Sequence, residues 1–381
     1  MQIRYPENIR QAKALFRESF EAIVRAGNLP AEFEQIRIPG TSGPNGEPYT
    51  LDVSCLGNLK APAIKITTIA GTHGPERNGD AVQARMHWQI ASGQIALPAD
   101  RCMVQIRGLS GPAGALLTRP FGKVDLNRAF QANFENLPGP TQFMRDNWDK
   151  LVLRDLNPET VARSRAFLDE MFKTPGSARD FLSHFMRGQY TESEGHTYGG
   201  AEPPAVRPLL ETIAGWFPAS QEDRGLDYHT GPGNDEGDPK KERGKYQLFL
   251  LTENDSPLHL RGNKIWGAEN VRALAAQNNQ AASPRVYGPV ISLWDQLGTG
   301  TLKTMAGAEC HSEHNRKLTE MFILRQAFSR LGDPPDHPMR TEILEGIDAA
   351  FNPRSPEWRR RAVMGGVHFI KRAIYQPALA A

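Results

Sequence analysis

This chain has few cysteines, no long apolar run and almost no net charge, and each shortage closes off a class of protein. Cys55, Cys102 and Cys310 are its only thiols, too few and too scattered for a disulfide framework or a cysteine-built zinc site. No apolar stretch approaches the roughly 20 residues that span a bilayer. The opening Met1-Gln2-Ile3-Arg4-Tyr5-Pro6-Glu7 lacks the apolar core of a secretory signal. A cytoplasmic protein without a membrane partner is expected. The 45 Lys and Arg against 43 Asp and Glu leave a formal charge of +2, so no global field draws the chain to nucleic acid. The basic runs at 240–243 and 359–361 read as solvated faces. With 35 glycines and 29 prolines in 381 residues, the composition is not that of a low-complexity chain.

What is present is an alternation of strand and helix patterns. Apolar positions Ile9, Ala12, Leu15, Phe16, Phe20 and Ile23 mark an amphipathic helix over about 7–26, stopped by Asn28-Leu29-Pro30. Strands are expected at 34–39, 49–56, 63–70, 102–107, 225–229, 246–252 and 302–309, with a helix beginning near Asp80 and two late helices at 314–331 and 355–373. The implied fold is α/β: a mixed, mostly parallel twisted sheet with helices on both faces. One catalytic domain is expected to take up all 381 residues, with a mostly helical insertion at about 131–216.

In such sheets ligands gather at the carboxyl ends of the strands. Three polar clusters fall at such ends: His73 with Glu76, Asp227 with His229, and Glu309. His73 and Glu76 are three apart where a strand gives way to a helix, so imidazole and carboxylate can face one ion. Taken alone this spacing is weak, and a loop histidine beside a solvated glutamate is the commoner outcome. His229 supplies a third ligand type, although a lone strand histidine is more often a hydrogen-bonded core residue. Two histidines and a carboxylate form the ligand set of many catalytic zinc sites, whose ion lowers the pKa of water toward about 7. Asp125 can take the free N–H of a ligating histidine. Arg119 can stabilise an oxyanion, and Asn127 with Arg128 can grip a carboxylate. His87, His184, His196, His259, His337 and His368 have no partners at metal spacing and read as structural or surface residues.

The ordered set Gly71-Thr72-His73-Gly74-Pro75-Glu76, Val124-Asp125-Leu126-Asn127-Arg128 and Asp227-Tyr228-His229 resembles the zinc carboxypeptidase A-like superfamily, including its aspartoacylase and succinylglutamate desuccinylase branch. Nearly end to end, the chain resembles a mainly bacterial group within it that is catalogued as a domain of unknown function. Gly188-Gln189-Tyr190, Tyr198-Gly199-Gly200 and His229-Thr230-Gly231-Pro232-Gly233 take part in that likeness. The resemblance implies hydrolysis of an amide or peptide bond around one Zn2+ ion held by His73, Glu76 and His229. Asp125 then stands behind the first histidine, Asn127 and Arg128 bind a substrate carboxylate, and Arg119 polarises the carbonyl. Glu309 is the implied general base and later proton donor.

The chain departs from the family pattern at Leu109-Ser110-Gly111-Pro112-Ala113-Gly114, where an Asn-Pro-x-Gly turn is usual, and around Glu309-Cys310-His311-Ser312-Glu313. Glu313 therefore remains an alternative base. The leading expectation is a carboxypeptidase-like enzyme acting on a small molecule or short peptide, with an N-acyl amino acid deacylase as the alternative. A binding protein that keeps the fold without turnover is a second alternative. A thiol hydrolase at Cys310 is disfavoured, because neighbouring residues on a strand point to opposite faces.

Overall fold

The computed structural model describes residues 3–42, 48–108, 125, 139–185, 189–199, 222–231, 246–250, 300–307 and 312–377. Seven strands in these residues form one sheet: β1 (Ala31–Ser42), β2 (Pro48–Gly57), β3 (Ile64–Ala70), β4 (Arg101–Arg107), β5 (Glu222–Gly231), β6 (Tyr246–Leu250) and β7 (Gly300–Gly307). Their spatial order is β1-β2-β4-β3-β5-β7-β6. The central run β4-β3-β5-β7 is parallel. The β1–β2, β2–β4 and β6–β7 pairs are antiparallel.

The sheet is thus mixed, as expected, but parallel pairing is confined to its centre. The reason is local. A parallel neighbour needs a long crossover, whereas the short connection from β1 to β2 permits only a hairpin-like antiparallel return. Every residue of β3 and of β4 is buried, which is why Ile64-Lys65-Ile66-Thr67-Thr68-Ile69-Ala70 carries no clean polar alternation.

The described helices are α1 (Ile9–Ala26), α2 (Asn78–Ala91), α3 (Gln142–Asp146), α4 (Trp148–Leu151), α5 (Pro158–Met171), α6 (Pro175–Phe185), α7 (Ser312–Arg330), α8 (Arg340–Phe351) and α9 (Pro356–Tyr375). Asn8 caps α1 by accepting from the Gln11 amide, and the buried stripe Ala12, Leu15, Phe16, Ser19, Phe20 and Ile23 follows the sequence periodicity. Helix α8 was not anticipated; its apolar positions Ile343, Ile347, Ala350 and Phe351 are buried. No described helix is long and apolar enough to cross a membrane.

Among the described residues, two large apolar clusters organise these elements. In the first, Phe20 of α1, Val82 and Met86 of α2, and Trp358, Val367 and Ile370 of α9 pack over Ile64, Ile66, Met103 and Leu226. This establishes the helix cover on one sheet face. In the second, Leu151, Leu168, Phe181 and Phe185 share a core with Leu318, Met321 and Phe328 of α7 and Ile343 and Ile347 of α8. Helices α3 to α6 lie within 142–185, a parallel β-bridge joins Gln189 to Tyr198, and residues of these helices pack on α7 and α8. Arg224 of β5, fully buried, donates to the carbonyls of Ala373, Gln376 and Pro377 at 2.6, 3.0 and 2.8 Å. That arginine satisfies the open end of α9 and ties it to the central sheet.

Candidate metal centre

The chain leaves β3 through Gly71, whose φ of +73° lies in the left-handed region open to glycine. His73 and Glu76 follow in the turn that leads into α2, and the Glu76 amide donates to the His73 carbonyl at 3.3 Å. Gly79 then lets α2 press onto the sheet. A Cβ at this position would fall 2.7 Å from Cβ of Tyr228 and 2.8 Å from Cβ of Ala70. This close seat draws the loop toward β5, which carries His229 two residues before the end of the strand. The backbone of His229 lies opposite Met305 of β7.

Three side chains converge there. Nδ1 of His73 is 2.7 Å from Oε1 of Glu76, and Nδ1 of His229 is 2.9 Å from Oε2 of the same carboxylate. The two imidazole centroids are 4.9 Å apart, and one ligand atom from each residue lies within 4.8 Å of the others. Glu76 and His229 side chains are each 3% exposed while His73 keeps 20%, so the site opens on the His73 side. Nε2 of His73 lies 3.1 Å from Oδ1 of Asp125, whose amide donates to the Tyr198 carbonyl at 2.7 Å. The Asp125 carboxylate can only accept from Nε2 of His73, and Nδ1 is the ring nitrogen turned toward Glu76. Burial pushes the Glu76 carboxyl up, but the two imidazoles outweigh it by charge and hydrogen bonding and hold it down at about 2. Two imidazole nitrogens and an ionised carboxylate oxygen are a borderline N/O donor set that fits zinc.

The structure thus brings together His73, Glu76, His229 and Asp125. Arg119, Asn127, Arg128, Glu309 and Cys310 lie outside the described residues, and the described part of β7 runs to Gly307. Glu313 stands in the first turn of α7. Asp227 pairs in register with Ile69 of β3.

Among the other histidines, His87 bonds Ser19 and Ser54. His184 stacks on Phe143, and Nε2 of His196 is 2.6 Å from the Leu151 carbonyl. Arg77, adjacent to Glu76, was not among the residues expected at the site. Its buried guanidinium pairs with Asp348 of α8 and donates to the Pro6 carbonyl. An arginine inside a glycine-rich ligand loop was the available signal.

The family described as "Protein of unknown function (DUF2817)" matches residues 11–365. The chain belongs to that family. This agrees with the domain-of-unknown-function group that its motifs resembled. No curated protein matches. Among solved structures, the LapA aminopeptidase of Legionella pneumophila is 10% identical over 98% of this chain and 68% of its own, with a TM-score of 0.38. The succinylglutamate desuccinylase of Chromobacterium violaceum is 13% identical over 90% and 74%, with a TM-score of 0.34. An aspartoacylase family protein of Mesorhizobium loti is 13% identical over 81% and 68%, with a TM-score of 0.34. Likenesses at this level carry no argument about activity, so the family match and the geometry stand on their own.

Proposed function

We propose that this member of the family is a zinc-dependent hydrolase of an amide or peptide bond in a small carboxylate-bearing substrate, carboxypeptidase-like in its chemistry. The observation that carries the reading is one buried, ionised carboxylate flanked by two imidazoles, one of them oriented by a further carboxylate. His73, Glu76 and His229 hold the ion. When bound, zinc supplies a Lewis acid and a lowered pKa for water.

The remaining work falls to the chain's own side chains. Glu76 keeps its charge throughout the neutral range. Asp125 retains the Nε2 proton of His73 and so fixes the tautomer. In this reading Glu309 takes a proton from the attacking water as its oxygen bonds to the carbonyl carbon. Glu309 then delivers that proton to the amine nitrogen as the C–N bond breaks. Arg119 stabilises the negative charge that develops on the carbonyl oxygen, and Asn127 with Arg128 grips the substrate carboxylate.

The test is a panel of dipeptides and N-acyl amino acids assayed as isolated, after chelation, and after zinc is restored. Turnover that chelation abolishes and zinc restores is expected. A hit among dipeptides fits a carboxypeptidase, and one among N-acyl amino acids fits a deacylase. In an active preparation, Glu309→Gln should keep the zinc and lose at least about 100-fold in kcat. A zinc-loaded protein inert toward the whole panel would favour the non-catalytic binding protein.

A further inference from the structure

Glu76 sits in a loop, yet its backbone is held on both sides by one distant side chain. Asn352, immediately after α8 and 1% exposed, donates from Nδ2 to the carbonyl of Pro75 and accepts at Oδ1 from the amide of Arg77, 3.1 Å away. The Asn352–Arg77 bond spans 275 positions of sequence. The same amide is satisfied elsewhere as well: Oδ1 accepts from the Tyr5 hydroxyl at 3.2 Å, and Nδ2 donates to the Asp348 carbonyl at 3.3 Å. Nδ2 also lies 3.4 Å from Oδ1 of Asp348, so both donors and both acceptors of the asparagine side chain are engaged. Its neighbour one turn back, Asp348, pairs with the Arg77 guanidinium, so α8 grips the loop at main chain and side chain alike.

We propose that Asn352 is the positioning residue of the metal centre, fixing the main chain around Glu76 so that its carboxylate meets both imidazoles. The proposal rests on the zinc-site reading above. A flexible loop bearing the only acidic ligand loses ordering entropy each time it binds an ion, whereas a loop already pinned at the residues before and after Glu76 has lost it on folding. The loop presents one carbonyl and one N–H to the same side chain, and the amide meets them with a separate donor and acceptor atom. Aspartate has the shape but lacks the donor, and would set a carboxylate oxygen against the Pro75 and Asp348 carbonyls.

The test compares the zinc dissociation constants, by chelator competition, of the full chain and of Asn352→Ala and Asn352→Asp, with thermal midpoints measured in parallel. Ile347→Val, in the core face of α8 and away from the loop, serves as a control that weakens the helix alone. Zinc affinity should fall about 10- to 100-fold in both Asn352 variants and stay within about twofold in Ile347→Val, although all three lower the midpoint. Asn352→Asp keeps the shape and both acceptors, so it answers the question if Asn352→Ala fails to fold. Folded Asn352 variants with the affinity of the unaltered chain would overturn the proposal, and so would an equal loss in Ile347→Val. An unaltered chain that binds no zinc sinks the metal reading and this inference together. Zinc bound equally by all forms sinks this inference only.

Discussion

Helix α2 has an imidazole site near each end, and the two are built on different chemistry. Beyond its amino-terminal end, His73 and His229 lie on either side of the Glu76 carboxylate. Toward its carboxyl-terminal end His87, fully buried, lies between two hydroxyls, with Nδ1 2.9 Å from Oγ of Ser19 and Nε2 3.1 Å from Oγ of Ser54. Ser19 already donates its proton to the Phe16 carbonyl at 2.7 Å, so it accepts from Nδ1–H of His87, and Ser54 donates to Nε2. Both ring nitrogens are consumed, and among the described residues no carboxylate is bonded to either. Burial drives the His87 pKa down to about 3. Burial alone therefore makes a neutral structural histidine. An ionised partner, with lone pairs left to share, makes the arrangement suited to a cation.

The widest separation between the two sites should come from removing a ligand. Glu76→Ala or His229→Ala is expected to weaken zinc binding by at least about 1,000-fold, because a three-residue site loses a charged or strongly donating member. His87→Gln should keep the zinc content of the unaltered chain. Loss of zinc in His87→Gln with the fold intact would break the comparison.

Acid should distinguish the sites next. The folded-state pKa of His87 lies below its ordinary value of 6.5. Between pH 6.5 and about 3 the unfolded chain therefore binds a proton that the native chain does not, and stability falls as pH falls through that window. With zinc removed, His87 should account for about 2–3 kcal/mol of lost stability at pH 4.5 relative to pH 7. Urea midpoints of the chelated protein and of His87→Gln check this: the variant should show the shallower decline, and parallel declines would contradict it.

A smaller effect is expected at the helix seat. Gly79→Ala forces a methyl against the Cβ atoms of Tyr228 and Ala70, which cannot swing aside as the far end of a flexible side chain does. A loss of about 1–3 kcal/mol in stability is expected, with weaker zinc binding because α2 must lift from β5. Unchanged thermal stability would show that the helix has room to spare. The smallest change should follow Asp125→Asn, which keeps the shape but not the charge behind His73. Zinc affinity should drop about 10- to 100-fold, measured by competition, with little change in the thermal midpoint of the metal-free protein. An unchanged affinity would remove Asp125 from the site.

How much of this was legible in the sequence depends on how far each interaction reaches. The stripe of α1 and the runs of β3 and β4 carry their period or burial within a few residues, and they could be read directly. His73 and Glu76 share one turn, and only a few residue types bind metal, so their chemistry was visible before their contact with His229 was. The antiparallel flanks of the sheet were not read, because register is a property of pairs. Helix α8 and its Asn352 were missed for a related reason. A side chain that clamps main-chain atoms 275 positions away needs no particular residue type at its target. Arg224 is similar: its partners are carbonyls at the end of α9, which every sequence possesses.

Zinc stoichiometry, measured on the purified chain and on His229→Ala after both are loaded with zinc and exhaustively dialysed, tests most directly whether two halves of the chain share one ion. One zinc per chain in the first and less than about a tenth in the second is the expected result. Zinc absent from the unaltered chain, or retained in full by a folded His229→Ala, would contradict it.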